Sequence, residues 1–203
     1  MKPIRYKQAM VDEFVRDGYW TNELFYDFYD RNARELPEQE ALVDSRYRVT
    51  WSEAKRLVDA IAGAWVEMGI PKSSRIIIQS PNSVFGFLAR IAGERAGLIT
   101  LTVYPYLRQR ELEYMVEKTE ASAVVIPTVY RKFDYLDMYK GLQKQFPHLE
   151  HFFLFDDEVP DSAPEGTHSL IQLAYDRAEK PVDETMLQER RLDPFWDVAI
   201  LTT

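Results

Sequence analysis

Residues 75–103 read RIIIQSPNSVFGFLARIAGERAGLITLTV. Two short apolar runs, 75–80 and 98–103, flank a segment whose spacing predicts a helix from Ser83 to about Ala96. Runs without alternating polar residues are typical of strands that are buried on both faces, as in parallel sheets. A parallel pair that is joined by a helix is an α/β unit with a right-handed crossover.

The same alternation continues along the chain. Further strands are predicted at SAVVIP (122–127), HFFLF (151–155) and VAILTT (198–203), the last of them as a buried strand; helices are predicted around RQRELEYMVEKT (108–119), DYLDMYKGLQKQF (134–146) and a segment ending near Ala178. This order predicts an α/β fold with a doubly wound, mainly parallel sheet and flanking helices.

The N-terminal region has its own local signals. TNELFYDFYDRNAREL (21–36) has helical spacing, with Thr21 or Asn22 as its cap. EALVD and RYRVT, on either side of Ser45, predict a hairpin. Thr50 and Glu53 form a capping box that starts the next helix. We expect residues 1–203 to be a single unit, with a helical segment at 1–36 and an α/β region at 37–203.

Composition excludes several classes of function. The 203 residues carry a net charge of −8, which argues against a nucleic-acid groove, and the chain has no cysteine for a disulfide or a zinc–thiolate site. The first 20 residues contain no apolar core like that of a signal peptide. No apolar run approaches the roughly 20 residues that span a bilayer. We therefore expect no membrane span and a cytoplasmic location.

Motifs for chemistry are few. No glycine pattern matches a dinucleotide fingerprint or a Walker loop, and no G-x-S-x-G elbow presents a serine. Pro81-Asn82-Ser83 could place an anion at a helix N-terminus, although an ordinary strand-to-helix turn is favoured. The spacing of His148 and His151, and the run Asp156–Glu158, are weak metal signals, so we expect no metal ligands or catalytic residues.

The order of segments nevertheless resembles the N-terminal part of the adenylate-forming acyl- and aryl-CoA synthetases. The matching stretches are GYW (18–20), PEQEALVDSRYRVTWSE (37–53), MGIPKSSRIIIQSPNS (68–83), RIAGERAGLITLTVYP (90–105), RELEYMVEKTEASAVVIP (110–127) and DVAILTT (197–203). GYW, FDY (133–135) and FPHLEH (146–151) look most like the branch that activates aryl or cyclic acids. The chain departs from the family at Ser73-Ser74, where Gly-Asp is common, and at Tyr104, where Asn often precedes the proline.

The resemblance implies a function. In that family, the last of these strands leads into a Thr-Ser-Gly-Thr-Thr-Gly-x-Pro-Lys loop that binds the ATP phosphates. Thr203 matches the opening threonine of that loop and Thr202 precedes it, so these two are the expected cofactor-binding residues. The intact parent would use ATP, Mg²⁺ and CoA or a carrier-protein thiol to activate an aryl, cyclic or fatty acid as an acyl-adenylate. We expect the chain to stop short of the loop.

Taken alone, the 203-residue chain is then expected to be an inactive N-terminal fragment with no bound cofactor, and it could form a homodimer. The alternative is a complete, non-catalytic α/β module that binds a ligand or a partner. In that case, the edge left by VAILTT would be covered by the chain's own sheet or by a dimer partner.

Overall fold

The computed structural model describes residues 6–195 and 197–201. Its helices are α1 (Gln8–Arg16), α2 (Phe25–Glu35), α3 (Trp51–Glu67), α4 (Val84–Arg95), α5 (Gln109–Thr119), α6 (Tyr135–Gln145), α7 (Leu170–Ala178) and α8 (Glu184–Glu189). Its strands are β1 (Glu40–Val43), β2 (Arg48–Thr50), β3 (Arg75–Gln79), β4 (Ile99–Val103), β5 (Ala123–Ile126), β6 (Val129–Tyr130), β7 (Phe133–Asp134), β8 (His151–Leu154), β9 (His168–Ser169) and β10 (Ala199–Ile200).

The main sheet has six strands in the order β10-β4-β3-β5-β8-β9. Every neighbouring pair in it is parallel, and β3 and β4 are in register from Arg75 opposite Ile99 to Gln79 opposite Val103. Strands β1 and β2 form a separate antiparallel hairpin, as do β6 and β7. The predicted α/β architecture with a parallel sheet is confirmed.

The two faces of the sheet carry separate cores because successive strand side chains point to opposite sides. Ile76 and Ile78 pack into one core with residues of α2, α3, α4, α7 and α8. Ile77 packs into the other core with residues of α5 and α6. The absence of polar alternation in β3 therefore reflects a helical layer on each side of the sheet.

Helix α3 begins as its sequence predicts. The Thr50 hydroxyl accepts a hydrogen bond from the Glu53 amide at 3.3 Å, and the Glu53 carboxylate accepts one from the Thr50 amide at 2.9 Å. Beyond its end, Gly69 adopts a φ of +82°. The apolar face of α3 supplies much of the first core, with Leu57, Ile61 and Trp65 almost fully buried.

The predicted start of the first amphipathic helix is wrong. Neither Thr21 nor Asn22 caps it, because α2 begins at Phe25 and the Asp27 carboxylate accepts a hydrogen bond from the Leu24 amide at 2.6 Å. Arg191 pairs with that carboxylate and also donates to the Asn22 carbonyl, which ties residues outside the helix in place.

The C-terminal strand is also less buried than its sequence predicts. Ala199 and Ile200 pair with β4, the Val198 carbonyl accepts a hydrogen bond from the Thr100 amide at 3.3 Å, and β10 is at the edge of the sheet in the described part of the chain. Residues 198–200 are half-buried, and Leu201 is 79% exposed. Among the described residues, β10 has β4 as its one neighbouring strand, which accounts for its partial exposure.

Candidate functional site

The connections of the sheet create a crevice between β3 and β4. Helix α4, which follows β3, packs on one face of the sheet, whereas α5, which follows β4, packs on the other. The chain therefore leaves these two neighbouring strands in opposite directions at their carboxyl ends. In open α/β sheets, ligands bind at such a topological switch point.

A cavity of about 310 Å³ lies at this point. Its lining combines the ends of β3, β4 and β10 with the first turns of α4. The apolar part is Ile78, Pro81, Gly86, Phe87, Val103, Pro105 and Leu201, and the polar part is Ser80, Asn82, Ser83, Arg90, Thr102 and Tyr104. Among the described residues that line it, Arg90 is the one with a charged side chain.

The N-terminus of α4, at the edge of the cavity, is occupied by the chain's own side chains. The Ser83 hydroxyl accepts a hydrogen bond from the Gly86 amide at 3.1 Å, and the Asp44 carboxylate accepts one from the Val84 amide at 2.8 Å. These contacts take up amide groups that could otherwise bind an anion. Of the two interpretations of Pro81-Asn82-Ser83, the geometry favours the ordinary strand-to-helix turn.

The loop after β4 forms one wall of the cavity, and side chains from other elements donate hydrogen bonds to its carbonyl groups. The Gln79 side-chain amide donates to the Tyr104 carbonyl at 3.0 Å and to the Leu107 carbonyl at 3.1 Å. Arg108 donates to the carbonyls of Pro105 and Leu107, at 2.8 and 2.9 Å. The Tyr135 hydroxyl donates to the Pro105 carbonyl as well. Three side chains thus hold the carbonyls of Tyr104, Pro105 and Leu107.

Behind Arg90 lies a buried carboxylate. Glu94 is 2% exposed; its Oε1 accepts a hydrogen bond from the Tyr26 amide at 2.7 Å, and its Oε2 is 3.9 Å from Nη1 of Arg90. Burial raises the pKa of Glu94 above its ordinary value, although the Tyr26 amide and Arg90 oppose this shift. Glu94 thereby joins the start of α2 to the helix that borders the cavity.

The predicted cofactor-binding residues, Thr202 and Thr203, lie outside the described residues. The residue before them, Leu201, lines the cavity, and β10 runs parallel to β4 toward the same edge of the sheet. Leu201 thus lies at the carboxyl edge of the sheet.

The weak metal signals are not brought together. His151 begins β8, whereas His148 lies outside any helix or strand. Asp156 accepts a hydrogen bond from the Thr128 amide at 2.7 Å, and Asp157 pairs with Arg46 at 2.8 Å. Within residues 6–195 and 197–201, no three His, Cys, Asp or Glu side chains group in a way that could hold a metal ion.

Sequence reasoning missed the residues that build the cavity wall. Gln79, Arg90 and Arg108 carry no motif, although a single glutamine that ends an otherwise apolar run was a usable signal. Among the aromatic residues, Tyr135 and Tyr139 are buried in the core, whereas Tyr104 and Tyr106 are 57% and 67% exposed.

A second cavity, of about 800 Å³, lies between the N-terminal residues and the segment before β10. Tyr6, Tyr19, Trp20 and Phe195 supply aromatic walls, and Asp193 and Asp197 supply carboxylates. Of the residues that the structure describes, none lines both this cavity and the one at the switch point.

Comparison with known proteins shows which family the sequence matches. The pattern of the AMP-binding enzyme family matches residues 29–195, which is most of the chain. In the part of the chain that the structure describes, no helix is long and apolar enough to cross a membrane.

Two curated relatives are ligases. A 2-hydroxy-7-methoxy-5-methyl-1-naphthoate–CoA ligase from Streptomyces carzinostaticus is 31% identical over 150 residues, which are 73% of this chain and 27% of that protein. The mitochondrial medium-chain acyl-CoA ligase ACSF2 from Macaca fascicularis is 30% identical over 134 residues, which are 65% of this chain and 22% of that protein. The chain therefore spans about a quarter of the length of these relatives.

A solved structure has the same fold. The apo structure of MbtA from Mycobacterium smegmatis aligns with a TM-score of 0.81 and 25% sequence identity, over 97% of this chain and 34% of that one. The parallel sheet and its flanking helices therefore match the N-terminal region of a much longer protein.

Proposed function

The chain belongs to the family of AMP-binding enzymes, and we propose that it forms the N-terminal portion of an ATP-dependent, AMP-forming ligase that joins a carboxylic acid to a thiol. The observation that carries this proposal is the family match over residues 29–195, together with relatives that are named as CoA ligases.

In the proposed reaction, a carboxylate oxygen attacks the α-phosphorus of ATP and pyrophosphate leaves, which gives an acyl-adenylate. The thiol loses its proton to solvent, its sulfur attacks the acyl carbon to form a thioester, and AMP leaves with the bonding electrons of the mixed anhydride. The thiol is that of CoA or of a carrier protein. The second step is favourable because AMP is a far better leaving group than hydroxide.

In this proposal, the chain supplies the edge of the sheet that lies beside the phosphate site. We propose that Thr202 and Thr203 begin a phosphate-binding loop that follows β10. Leu201, the residue between β10 and Thr202, lines the cavity. Successive backbone amides and hydroxyls in such a loop can hold phosphate oxygens. The pairing of β10 with β4 would set the direction in which that loop leaves the sheet.

We propose no Mg²⁺ ligand among the described residues: no three of their His, Cys, Asp or Glu side chains group in a way that could hold a metal ion. We therefore assign no step to a metal that is held by residues 6–195 or 197–201. In the whole ligase, Mg²⁺ would be held by the ATP phosphates and by residues outside that part of the chain.

Three classes of carboxylic acid are candidates for the substrate: aryl, cyclic and fatty acids. The naphthoate relative supports an aryl acid, and GYW, FDY and FPHLEH support an aryl or cyclic acid. The ACSF2 relative supports a fatty acid. We favour the aryl or cyclic class.

Four further expectations are part of the proposal. We propose that residues 1–203 form one unit, since both cores share the six-stranded sheet, with 1–36 as its helical segment and 37–203 as its α/β region.

We also propose that the chain is inactive by itself and can form a homodimer. The cytoplasmic location expected from the sequence stays a prediction; the name of one relative places that relative in mitochondria.

The test is ATP–pyrophosphate exchange with a panel of benzoate, cyclohexanecarboxylate and octanoate. We expect the complete protein from the same gene to exchange label with at least one acid, and the purified 203-residue chain to exchange none. Exchange by the 203-residue chain would contradict its inactivity. No exchange by the complete protein with any acid would favour the alternative, a non-catalytic binding module.

A further inference from the structure

Two consecutive arginines, Arg190 and Arg191, follow α8 and join it to distant parts of the chain. The Nε atom of Arg190 donates a hydrogen bond to the Ala96 carbonyl at 2.8 Å, and its Nη2 atom donates one to the Ile70 carbonyl at 2.7 Å. Ile70 lies just beyond α3, and Ala96 directly follows α4. Carbonyl groups at the ends of helices lack partners within the helix, so Arg190 supplies donors to the ends of two helices at once.

Arg191 holds the start of a third helix. Its Nη1 and Nη2 atoms donate to the two carboxylate oxygens of Asp27, at 2.7 and 2.8 Å, and Nη2 also donates to the Asn22 carbonyl at 3.0 Å. A bidentate pair of this kind fixes orientation as well as distance. The segment after α8 is therefore fastened to the beginning of α2.

The backbone around Arg190 is in close contact with two turns. A Cβ added to Gly97 would overlap the Arg190 carbonyl oxygen, and Nζ of Lys72 donates to the Glu189 carbonyl at 2.9 Å. The Gly97 carbonyl in turn accepts a hydrogen bond from the Ser73 amide at 2.7 Å. Three segments of the chain thus meet at the amino ends of β3 and β4, on the side of the sheet opposite to the switch-point cavity.

The strand that follows the arginines has few contacts of its own to set its register. Ala199 and Ile200 pair with β4, and the Thr100 amide donates to the Val198 carbonyl at 3.3 Å. A slip by one residue would move the strand by about 3.3 Å and turn its side chains to the opposite face of the sheet. An anchor shortly before the strand would prevent such a slip, and residues 192–197 are all that separate β10 and Val198 from the two arginines.

We propose that Arg190 and Arg191 are positioning residues for the phosphate-binding loop. They fix the point from which the chain enters β10, and so the register of β10 against β4 and the place where Thr202 and Thr203 begin the loop. Neither arginine is among the described residues that line the two cavities, so they act through the backbone and not by touching a ligand. This inference rests on the proposed ligase function and adds residues at the far end of the sheet to it.

The first arm of the test is amide hydrogen exchange in the purified 203-residue chain. The Thr100 amide is the probe, because Thr100 is 2% exposed and its amide donates to β10, so it exchanges when β10 leaves β4. We expect Arg190→Gln and Arg191→Gln to speed its exchange at least about tenfold. Arg191→Lys keeps the charge without the bidentate geometry and should have a smaller effect.

The second arm is ATP–pyrophosphate exchange by the complete protein from the same gene. A displaced loop would weaken the binding of phosphate groups and leave the contacts of the acid in place. We therefore expect Arg191→Gln to raise the KM for ATP about threefold to tenfold and to change the KM for the acid less than about twofold. Arg191→Lys should restore part of the KM for ATP.

The matched control is Arg177→Gln. Arg177 in α7 pairs with Glu67 in α3, so it also joins two helices by an ion pair, but it holds no residue near β10. Its loss should lower the stability to urea in a similar way to that of Arg191, and leave both the exchange at Thr100 and the KM for ATP unchanged. Circular dichroism checks that each variant is folded. If Arg190→Gln does not fold, Arg191→Gln decides the matter.

Faster exchange at Thr100 together with a raised KM for ATP would support the proposal. Unchanged exchange at Thr100, or an unchanged KM for ATP, would overturn it and leave the ligase function standing. Equal effects of Arg177→Gln would also overturn it, because the arginines would then contribute stability alone. If the unmodified complete protein exchanges no label with any acid, the ligase function fails and the positioning role fails with it, whatever the exchange at Thr100.

Discussion

The Asp44 carboxylate, in the turn of the β1–β2 hairpin, accepts a hydrogen bond from the amide of Val84, the first residue of α4, at 2.8 Å. Its other oxygen accepts hydrogen bonds from the amides of Arg46 and Tyr47, at 2.7 and 2.8 Å. One side chain therefore closes the hairpin turn and caps the helix that borders the cavity. The hairpin is thereby joined to the edge of the site.

We expect Asp44→Ala to lower the free energy of unfolding by about 1–3 kcal/mol, because three backbone amides lose their acceptor. Urea unfolding measures the change. Asp161→Ala, at an exposed loop position, is the control and should change the value by less than about 0.5 kcal/mol. Equal stabilities of the two variants would show that the cap contributes nothing.

The stabilisation by Asp44 should depend on pH. Partial burial favours a higher pKa for Asp44, but the three amides and Arg46 outweigh it and hold the pKa below its ordinary value of 3.8. A carboxylate with a lowered pKa stabilises the fold above the unfolded value, and this contribution is lost as the pH falls through the folded value. The stability gap between the unmodified chain and Asp44→Ala should thus persist at pH 7 and shrink below about pH 3.8. A gap that stays constant on acidification would contradict this assignment.

Glu94 should show the opposite dependence. Burial raises its pKa above 4.5, so folding favours the protonated form, and its contribution falls as the pH rises through the folded pKa. Glu94→Gln keeps an acceptor for the Tyr26 amide and removes the buried charge. Relative to the unmodified chain, this variant should therefore be more stable at pH 8 than at pH 4.5, as measured by urea unfolding.

Two variants control for the Glu94 result. Glu117→Gln, on an exposed position of α5, should show no such change with pH. Glu94→Ala, which also removes the acceptor for the Tyr26 amide, should lose about 1–3 kcal/mol. A pH-independent difference for Glu94→Gln would show that the buried charge does not destabilise the fold.

Gly97, between α4 and β4, should not tolerate a side chain. It has a φ of +72°, and an added Cβ would overlap the backbone carbonyl oxygen of Arg190. Gly97→Ala should therefore lose more than about 1 kcal/mol in thermal or urea unfolding. Gly141→Ala is the matched control: it lies in α6 with open space around it, so it should gain roughly 0.5–1 kcal/mol. The same sign for both variants would contradict the close approach at Gly97.

Gln79 should control the mobility of the cavity wall. Gln79→Leu removes the donor to the Tyr104 and Leu107 carbonyls, so hydrogen exchange at the amides of Tyr104, Tyr106 and Leu107 should become faster. Gln143→Leu removes a comparable donor, to the Leu149 carbonyl, and should leave exchange in that loop unchanged. Unaltered exchange at 104–107 in Gln79→Leu would show that the loop is held by other contacts.

The sequence predicted the α/β region well because its signals are local and strong. The apolar runs from Arg75 onward and the Thr50–Glu53 capping box specify their elements from neighbouring residues alone. The start of α2 was wrong because Arg191, far away in the sequence, holds Asp27 and the Asn22 carbonyl. The prediction that the last strand, β10, is buried was wrong because the burial of a strand depends on which strands lie beside it in the sheet.

The cavity could not be predicted for the same reason. Its wall depends on contacts such as that between Gln79 and Leu107, and its edge on the contact between Asp44 and Val84. These pairs are brought together only when the strands are ordered in the sheet. Family resemblance indicated a ligase, but its expected cofactor-binding residues, Thr202 and Thr203, lie outside the described residues.

The most direct test of the central claim is the intact mass of the source protein, measured together with the codons that follow Thr203 in its gene. The ligase account predicts a Ser-Gly-rich loop immediately after Thr203 and a protein several hundred residues longer, since the chain covers 27% and 22% of two of its ligase relatives. A stop codon directly after Thr203, with a mass near 23.8 kDa, would contradict it, because the proposed phosphate loop would then not exist in this protein.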